Sequence, residues 1–249
     1  MARKIAPVAH GDQLSMTDHL DELRGRLVSL LIVFAVALGL AFWQNNRILD
    51  IVNAPLPKGL VPATFGVAEA FTATLIVSIY AAVIAILPFI IYHVYAFSIP
   101  ALSPSERRVA LPLLLLAPLL FVAGVVFGYY AVLPAAMHFL LSFNADQFNI
   151  QVRAREYYSF FGLTLVSIGV LFQIPVAVLI GVRLKLFTPA QLSANRRYAV
   201  LVIAVVAMLL PGTDPVTMMI IFLPLLALYE GSIVLARLVD RPPDEPTEP

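Results

Sequence analysis

The chain reads as an all-α protein that crosses a membrane six times, and three features of its 249 residues predict this. Its composition is 61% hydrophobic and only 12% charged, whereas a soluble domain carries about a quarter charged residues; mean hydropathy is +0.92. Uncharged apolar runs suited to a hydrocarbon core of about 30 Å recur along the chain, parted by polar connections. Lys and Arg gather in alternate connections. Cysteine is absent, so disulfides, thiolate metal sites and a cysteine nucleophile are excluded. Spans that follow one another this closely form one membrane domain, expected over residues 1–236. The proline- and acid-rich segment 237–249 is expected to be a disordered tail.

The elements are justified in order from the N-terminus. Residues 1–16 hold Arg3 and Lys4 but no apolar core, so they are expected to be a short tail and not a cleavable signal peptide. From Thr17 the stretch TDHLDELRGRL places Leu20, Leu23 and Leu27 on one helical face, with Asp21/Arg24 and Glu22/Arg26 at i,i+3 and i,i+4 spacing. It leads into a first span, 27–43, anchored at the interface by Trp43. Residues 44–70, stiffened by Pro55-Leu56-Pro57 and carrying both signs of charge, are an outer loop. A second span covers 71–92.

The hinge FSIPALSPSERR, 97–108, then turns the chain back. Ser103 suits the N-cap, Pro104 the first helical position, and Glu106 the position from which a carboxylate reaches back to the cap. The third span is 109–133, with Tyr129 and Tyr130 at its far interface. An outer loop is expected over 134–156 and a fourth span over 157–182, with Gln173 two residues before Pro175. After the basic loop 183–197, the uncharged run 198–213 reaches only about 24 Å. The sixth run, 215–229, is as short, so the last two spans are expected to form a tight pair turned by Gly212 and Pro215 with Asp214 at the tip. Prolines 88, 112, 118, 175 and 224 lie inside spans and imply kinked helices.

Six crossings put both termini on one side. Of the 16 Lys and Arg, twelve fall on that side and only Arg47, Lys58, Arg153 and Arg155 on the other, so the positive-inside rule places both termini in the cytoplasm.

Enzyme signatures are missing. There is no HExxH metal motif, no serine with a histidine base and no pair of intramembrane aspartates, and His10, His19, His93 and His138 have no ligand spacing. A non-enzymatic protein with no metal, cofactor or nucleic acid is therefore expected. A secondary transporter places carboxylates near the midplane and shows repeated halves. Spans one to four hold no charged residue and no repeat is visible, but Asp214 and Glu230 lie in or beside the last two, so a small-molecule or ion transporter is the alternative reading.

Six motifs punctuate the chain: HLDELRGRL (19–27), YHVYAFSIPALSPSERR (92–108), FGYYAVLP (127–134), FQIPVAVL (172–179), NRRYAVL (195–201) and LPLLALYE (223–230). In this order and at these spacings they resemble the TatC family, the multispanning receptor of the twin-arginine protein translocase. The resemblance covers nearly the whole chain. It implies a six-helix, cup-shaped protein of a bacterial or archaeal cytoplasmic membrane, acting as signal-peptide receptor and core subunit for export of folded proteins on the proton motive force. The implied partners are twin-arginine signal peptides, small single-span TatA/TatB-type subunits, other copies of the chain, and membrane lipid.

By similarity, Glu22, Arg24, Phe97 and Glu106 match positions tied to signal-peptide binding, Gln173, Asp214 and Glu230 match transmembrane or partner contacts, and Pro55 and Leu56 match an outer-loop pattern. Each residue also has a plainer reading. Glu106 serves a capping box, Glu22 pairs with Arg26, Phe97 is an interfacial aromatic, and Pro55-Leu56 is a stiff turn. The sequence departs from the family at Gln173, where glutamate is common, so no role that requires a charge there is carried over. The last turn reads Pro211-Gly212-Thr213-Asp214 instead of Thr-Pro-Pro-Asp, with Met218 in place of a glutamine.

Overall fold

The chain's first helix unites what the sequence divides into a charged lead and an apolar span: α1 (Met16–Trp43) is a single rod of 28 residues. The computed structural model describes the backbone of residues 16–98, 104–210 and 214–239, with side chains at 24–94, 112–210 and 214–237. Of the expected tails, residues 1–15 and 240–249 lie outside the described residues, as do the turn residues Pro211, Gly212 and Thr213.

α2 (Asn45–Asn53) is a short helix within the first outer connection, where only a loop is expected. Its Ile48, Leu49 and Val52 turn inward while Asn46, Arg47 and Asp50 stay exposed, the division of an interfacial helix. α3 (Glu69–Ser98) runs through Pro88 without a break. α4 (Pro104–Phe127) starts at the proline expected to open it; Ser103 and the side chain of Glu106 lie outside the described residues.

The third span departs from expectation. A π-helical turn, Gly128–Val132, joins α4 to α5 (Leu133–Ser142), and residues 112–142 form one helix of 31 residues. Pro134 therefore does not open a loop. The wide turn ahead of it, closed by the Leu133 N–H donating to the Gly128 carbonyl, leaves the proline in the first turn of α5, where its missing N–H is tolerated. The fourth span is broken: α6 (Ala154–Leu171) ends at Phe172–Gln173, and α7 (Ile174–Arg183) begins with Pro175 in its first turn. α8 (Pro189–Ala194) occupies the basic loop, opened by a capping box in which Thr188 Oγ1 accepts from the Gln191 N–H and Gln191 Oε1 accepts from the Thr188 N–H.

The last two helices are unequal. α9 (Arg196–Leu209) has 14 residues and α10 (Pro215–Val239) has 25, which corrects the expectation of two short spans and carries helix past Arg237. The uncharged run ends at Glu230 but the helix continues to Val239, and Arg196 Nη2 lies 2.8 Å from Glu230 Oε2. Among the described residues five helices are long and apolar enough to cross a membrane, and α9 falls short of that length.

Three buried clusters hold the bundle. One joins α2 and the start of α3 to α5 and α6, including Val52, Leu56, Val77, Leu133 and Phe161. Another gathers Ile91, Leu113, Val182 and Ala236 from α3, α4, α7 and α10. The third wraps α9 and α10 around Val132 and Ile168. Because Ile91 is near the end of α3, Leu113 near the start of α4 and Ala236 near the end of α10, the second cluster marks one end of the bundle, here the termini side. In lipid such contacts are driven by close packing more than by water exclusion. Gly169 illustrates it: a Cβ there would lie 2.5 Å from the Phe121 ring, so α6 meets α4 only without a side chain.

Candidate functional site

On the termini side, α1 and α3 are joined by one cation. Arg26 Nη1 donates to the His93 carbonyl at 3.2 Å, within reach of a ring nitrogen of the same residue. Glu22 is one helical turn before Arg26, and Phe97 one turn after His93, so the contact places both on adjoining turns facing the same end. Glu106 stands in the first turn of α4, across the hinge. The side chains of Glu22, Phe97 and Glu106 lie outside the described residues; Arg24 is exposed.

The same end is braced from α10. Tyr229 Oη donates to the Leu192 carbonyl at 3.1 Å, and Arg237 Nη2 donates to Ser193 Oγ at 2.6 Å, holding α8 against the last helix. Glu230, singled out in the sequence as an intramembrane acid, is neutralised by Arg196.

Asp214 is buried at the start of α10, where Oδ1 accepts from the Thr217 N–H at 2.8 Å. It is an N-cap, and its charge also suits the positive end of the helix. Among the described residues, Asp214 Oδ2 and the Thr217 hydroxyl are buried without a hydrogen-bond partner. Gln173 sits in the α6–α7 break and donates from Nε2 to the Ala117 carbonyl of α4 at 3.1 Å, while its Oε1 is buried without a partner. Its amide thus bonds across to a neighbouring helix, not to the carbonyl freed by Pro175.

The opposite end carries a feature that sequence reasoning missed. Glu69 is buried at the head of α3, where it accepts from the N–H groups of Phe65 and Gly66 at 2.7 and 3.1 Å and from Arg153 Nε at 2.7 Å. The hydrogen bond to Glu69, and then its charge, raise the Arg153 pKa above its ordinary value. Beside them Ala63 pairs with the strand-like segment at Arg153: its N–H donates to the Val152 carbonyl, and its carbonyl accepts from the Ala154 N–H, both at 2.8 Å. The only local signal is an acid abutting an apolar run. Leu56 is buried in the core beneath this end and Pro55 is half-buried.

Long apolar helices, with charges neutralised or gathered at the two ends, define a multi-pass α-helical membrane protein; among the described residues no three His, Asp or Glu are placed to hold a metal. The model of the family "Sec-independent protein translocase protein (TatC)" matches residues 18–224, and the chain belongs to the TatC family. A TatC from Desulforapulum autotrophicum is 34% identical over 236 residues, covering 93% of this chain and 87% of that protein. The TatC of Deinococcus radiodurans is 35% identical over 229 residues, covering 88% and 84%. The crystal structure of a twin-arginine translocase receptor, TatC, in DDM superposes with a TM-score of 0.76 at 32% identity, covering 88% of this chain and 99% of that one.

Proposed function

We propose that this chain is the signal-peptide receptor and core subunit of a twin-arginine translocase, a non-enzymatic part of a machine that exports folded proteins on the proton motive force. The likeness to a solved twin-arginine translocase receptor over nearly all of the chain carries this reading. Both termini face the cytoplasm, on the side richer in Lys and Arg, and the membrane is the cytoplasmic membrane of a bacterium or archaeon.

Glu22, Arg24, Phe97 and Glu106 form the recognition surface. The Arg26–His93 contact supports this grouping, since it draws the turns carrying Glu22 and Phe97 together. A guanidinium presents a planar fork of donors, which a carboxylate matches best. An exposed pair contributes about 0–1 kcal/mol, whereas hydrogen bonds to charged groups in a partly dry groove reach roughly 1.5–3 each, enough for two acids to select an arginine pair. Single-span subunits and further copies of the chain dock along the helices near Gln173 and Asp214, each of which holds an acceptor oxygen without a partner among the described residues. Glu230 contributes through its pair with Arg196, and Pro55-Leu56 shapes the outer connection.

The test is photocrosslinking of a labelled signal peptide to the chain in native membranes. Crosslinks should form at probes in positions 22, 97 and 106 and disappear when the peptide's arginine pair is changed to lysines. Equal crosslinking by both peptides would overturn the reading.

A further inference from the structure

Under α2, on the side away from the termini, lies a cavity of about 440 Å³. Ile48, Ile51 and Val52 of α2 roof it, Tyr80 and Gly162 form its floor, and Val126 stands at one wall. Its lining includes no residue that carries a charge at neutral pH. The roof is fastened: Tyr129 Oη donates to the Ile51 carbonyl at 3.0 Å and Tyr157 Oη to the Val52 carbonyl at 2.6 Å. Lining residues Ile51, Ala85, Val126 and Tyr130 are also exposed on the outer surface of the bundle, so the cavity opens sideways, between α3 and the third span, toward lipid.

We propose that this cavity binds one acyl chain of a phospholipid from the leaflet on the side of α2. Three physical arguments select that occupant. A water needs two to four polar partners, and the lining is aliphatic and aromatic, with the Tyr129 hydroxyl already spent on α2. Left empty, the lining would forfeit its dispersion contacts. A helix about 10 Å wide rising 5.4 Å per turn fills about 400 Å³ per turn, so the space holds about one turn of a peptide helix. A methylene occupies roughly the 30 Å³ of a water, so the same space takes a chain of on the order of fifteen carbons. A chain arriving from the bilayer leaves no water behind and gains only fit, so the site discriminates by shape. Gly162 is part of that shape: a Cβ there would run into Tyr80 from its Cβ outward, so α6 meets α3 beside the cavity only without a side chain.

The experiment reconstitutes the full chain in phosphatidylglycerol vesicles doped with phosphatidylglycerol carrying a diazirine on one acyl chain; a parallel sample receives the matching free fatty acid. After irradiation, labelled positions are mapped by mass spectrometry. Labelling should be several-fold higher at Tyr80, Ala81 and Leu165 than at Leu115 and Leu119, which are freely exposed at 73% and 66%. Ala81→Leu, which fills the space, and Gly162→Ala should each lower the cavity labelling several-fold and leave Leu115 and Leu119 unchanged. Even labelling of cavity and exposed positions in the unaltered chain would overturn the proposal without recourse to either variant. So would cavity labelling by the free fatty acid alone, or cavity labelling that persists in a folded Ala81→Leu chain.

Discussion

Arg153 donates from Nε to the buried carboxylate of Glu69 at 2.7 Å, across 84 residues of sequence. The pair fastens the second outer connection to the head of α3, next to the backbone pairing of Ala63 with residues 152 and 154. Arg153 also lies 3.5 Å from Glu156, but that acid is 73% exposed. The two carboxylates therefore make a controlled comparison. Glu69→Gln removes the charge from the buried partner and should lower the melting temperature of the detergent-solubilised protein clearly. Glu156→Gln should leave it nearly unchanged, as surface pairs do. Equal effects would mean that Arg153 is held by the Ala63 pairing alone.

Peptide recognition gives the second prediction. Glu22→Gln and Glu106→Gln keep side-chain shape and much of any capping ability but lose the charge. Each should weaken binding of a twin-arginine peptide by about tenfold, the equivalent of one charged hydrogen bond, with the protein still abundant in the membrane. Peptide titration against purified protein measures this. If abundance and affinity fall together, the acids serve the helix ends; unchanged affinity in both variants would remove them from recognition.

How far the fold was legible depended on where each signal resided. Spans bounded by charge or by a clear start, such as α1 and the Pro104 opening of α4, could be placed because the signal is local. The extent of α10 could not, since Glu230 ends the apolar run while the cation that neutralises it sits on α9. Pro134 suggested a loop, and the π-turn that accommodates it has no sequence mark. For the site, the motifs singled out Glu22, Phe97 and Glu106 one by one, but the Arg26–His93 contact that groups α1 with α3 spans 67 residues. Glu69 and Arg153 were each visible as charges, yet nothing in either's neighbourhood announces the other.

The third prediction concerns Arg196 and Glu230, 2.8 Å apart and both partly exposed. Glu230→Arg alone should destabilise the α9–α10 pair, and adding Arg196→Glu should restore most of the loss. The recovered coupling should be about 0–1 kcal/mol, the range for pairs open to solvent. A thermal-melt double-mutant cycle gives the number. A cycle showing no recovery would mean that Glu230 is held by another group.

Bilayer thickness gives the fourth. At 1.5 Å per residue the 14 residues of α9 extend about 21 Å, against a hydrocarbon core of about 30 Å. Among the described spans α9 is the short one, so thinning of the bilayer is expected at its flank. Snorkelling could close the gap from one end, but Arg196 is engaged by Glu230 and Arg197 stacks over Tyr198 at 4.8 Å. Inserting about one turn of leucine into α9 should slow export while signal-peptide binding persists. Export at the normal rate would dispose of the thinning idea.

The last prediction rests on Gln173. Its Nε2 donates to the Ala117 carbonyl, tying the α6–α7 break to α4, while Oε1 has no partner among the described residues. Gln173→Ala deletes that donor and should cost about 1 kcal/mol of stability, with export modestly reduced. Gln173→Glu is more discriminating. An ionised carboxylate cannot donate to a carbonyl, so the cross-helix bond survives only while the introduced acid is protonated, the form that export by this variant would require. Export by the glutamate variant should therefore stay close to that of the unaltered chain at neutral pH and fall as the medium becomes alkaline. The glutamine chain should show no such dependence. Peptide binding at the termini side should be the same in all three proteins. An in vitro export assay over a pH series decides the matter: full export by the alanine variant would mean that the Gln173–Ala117 bond is dispensable, and a flat profile for the glutamate variant would mean that its donor is not what export requires.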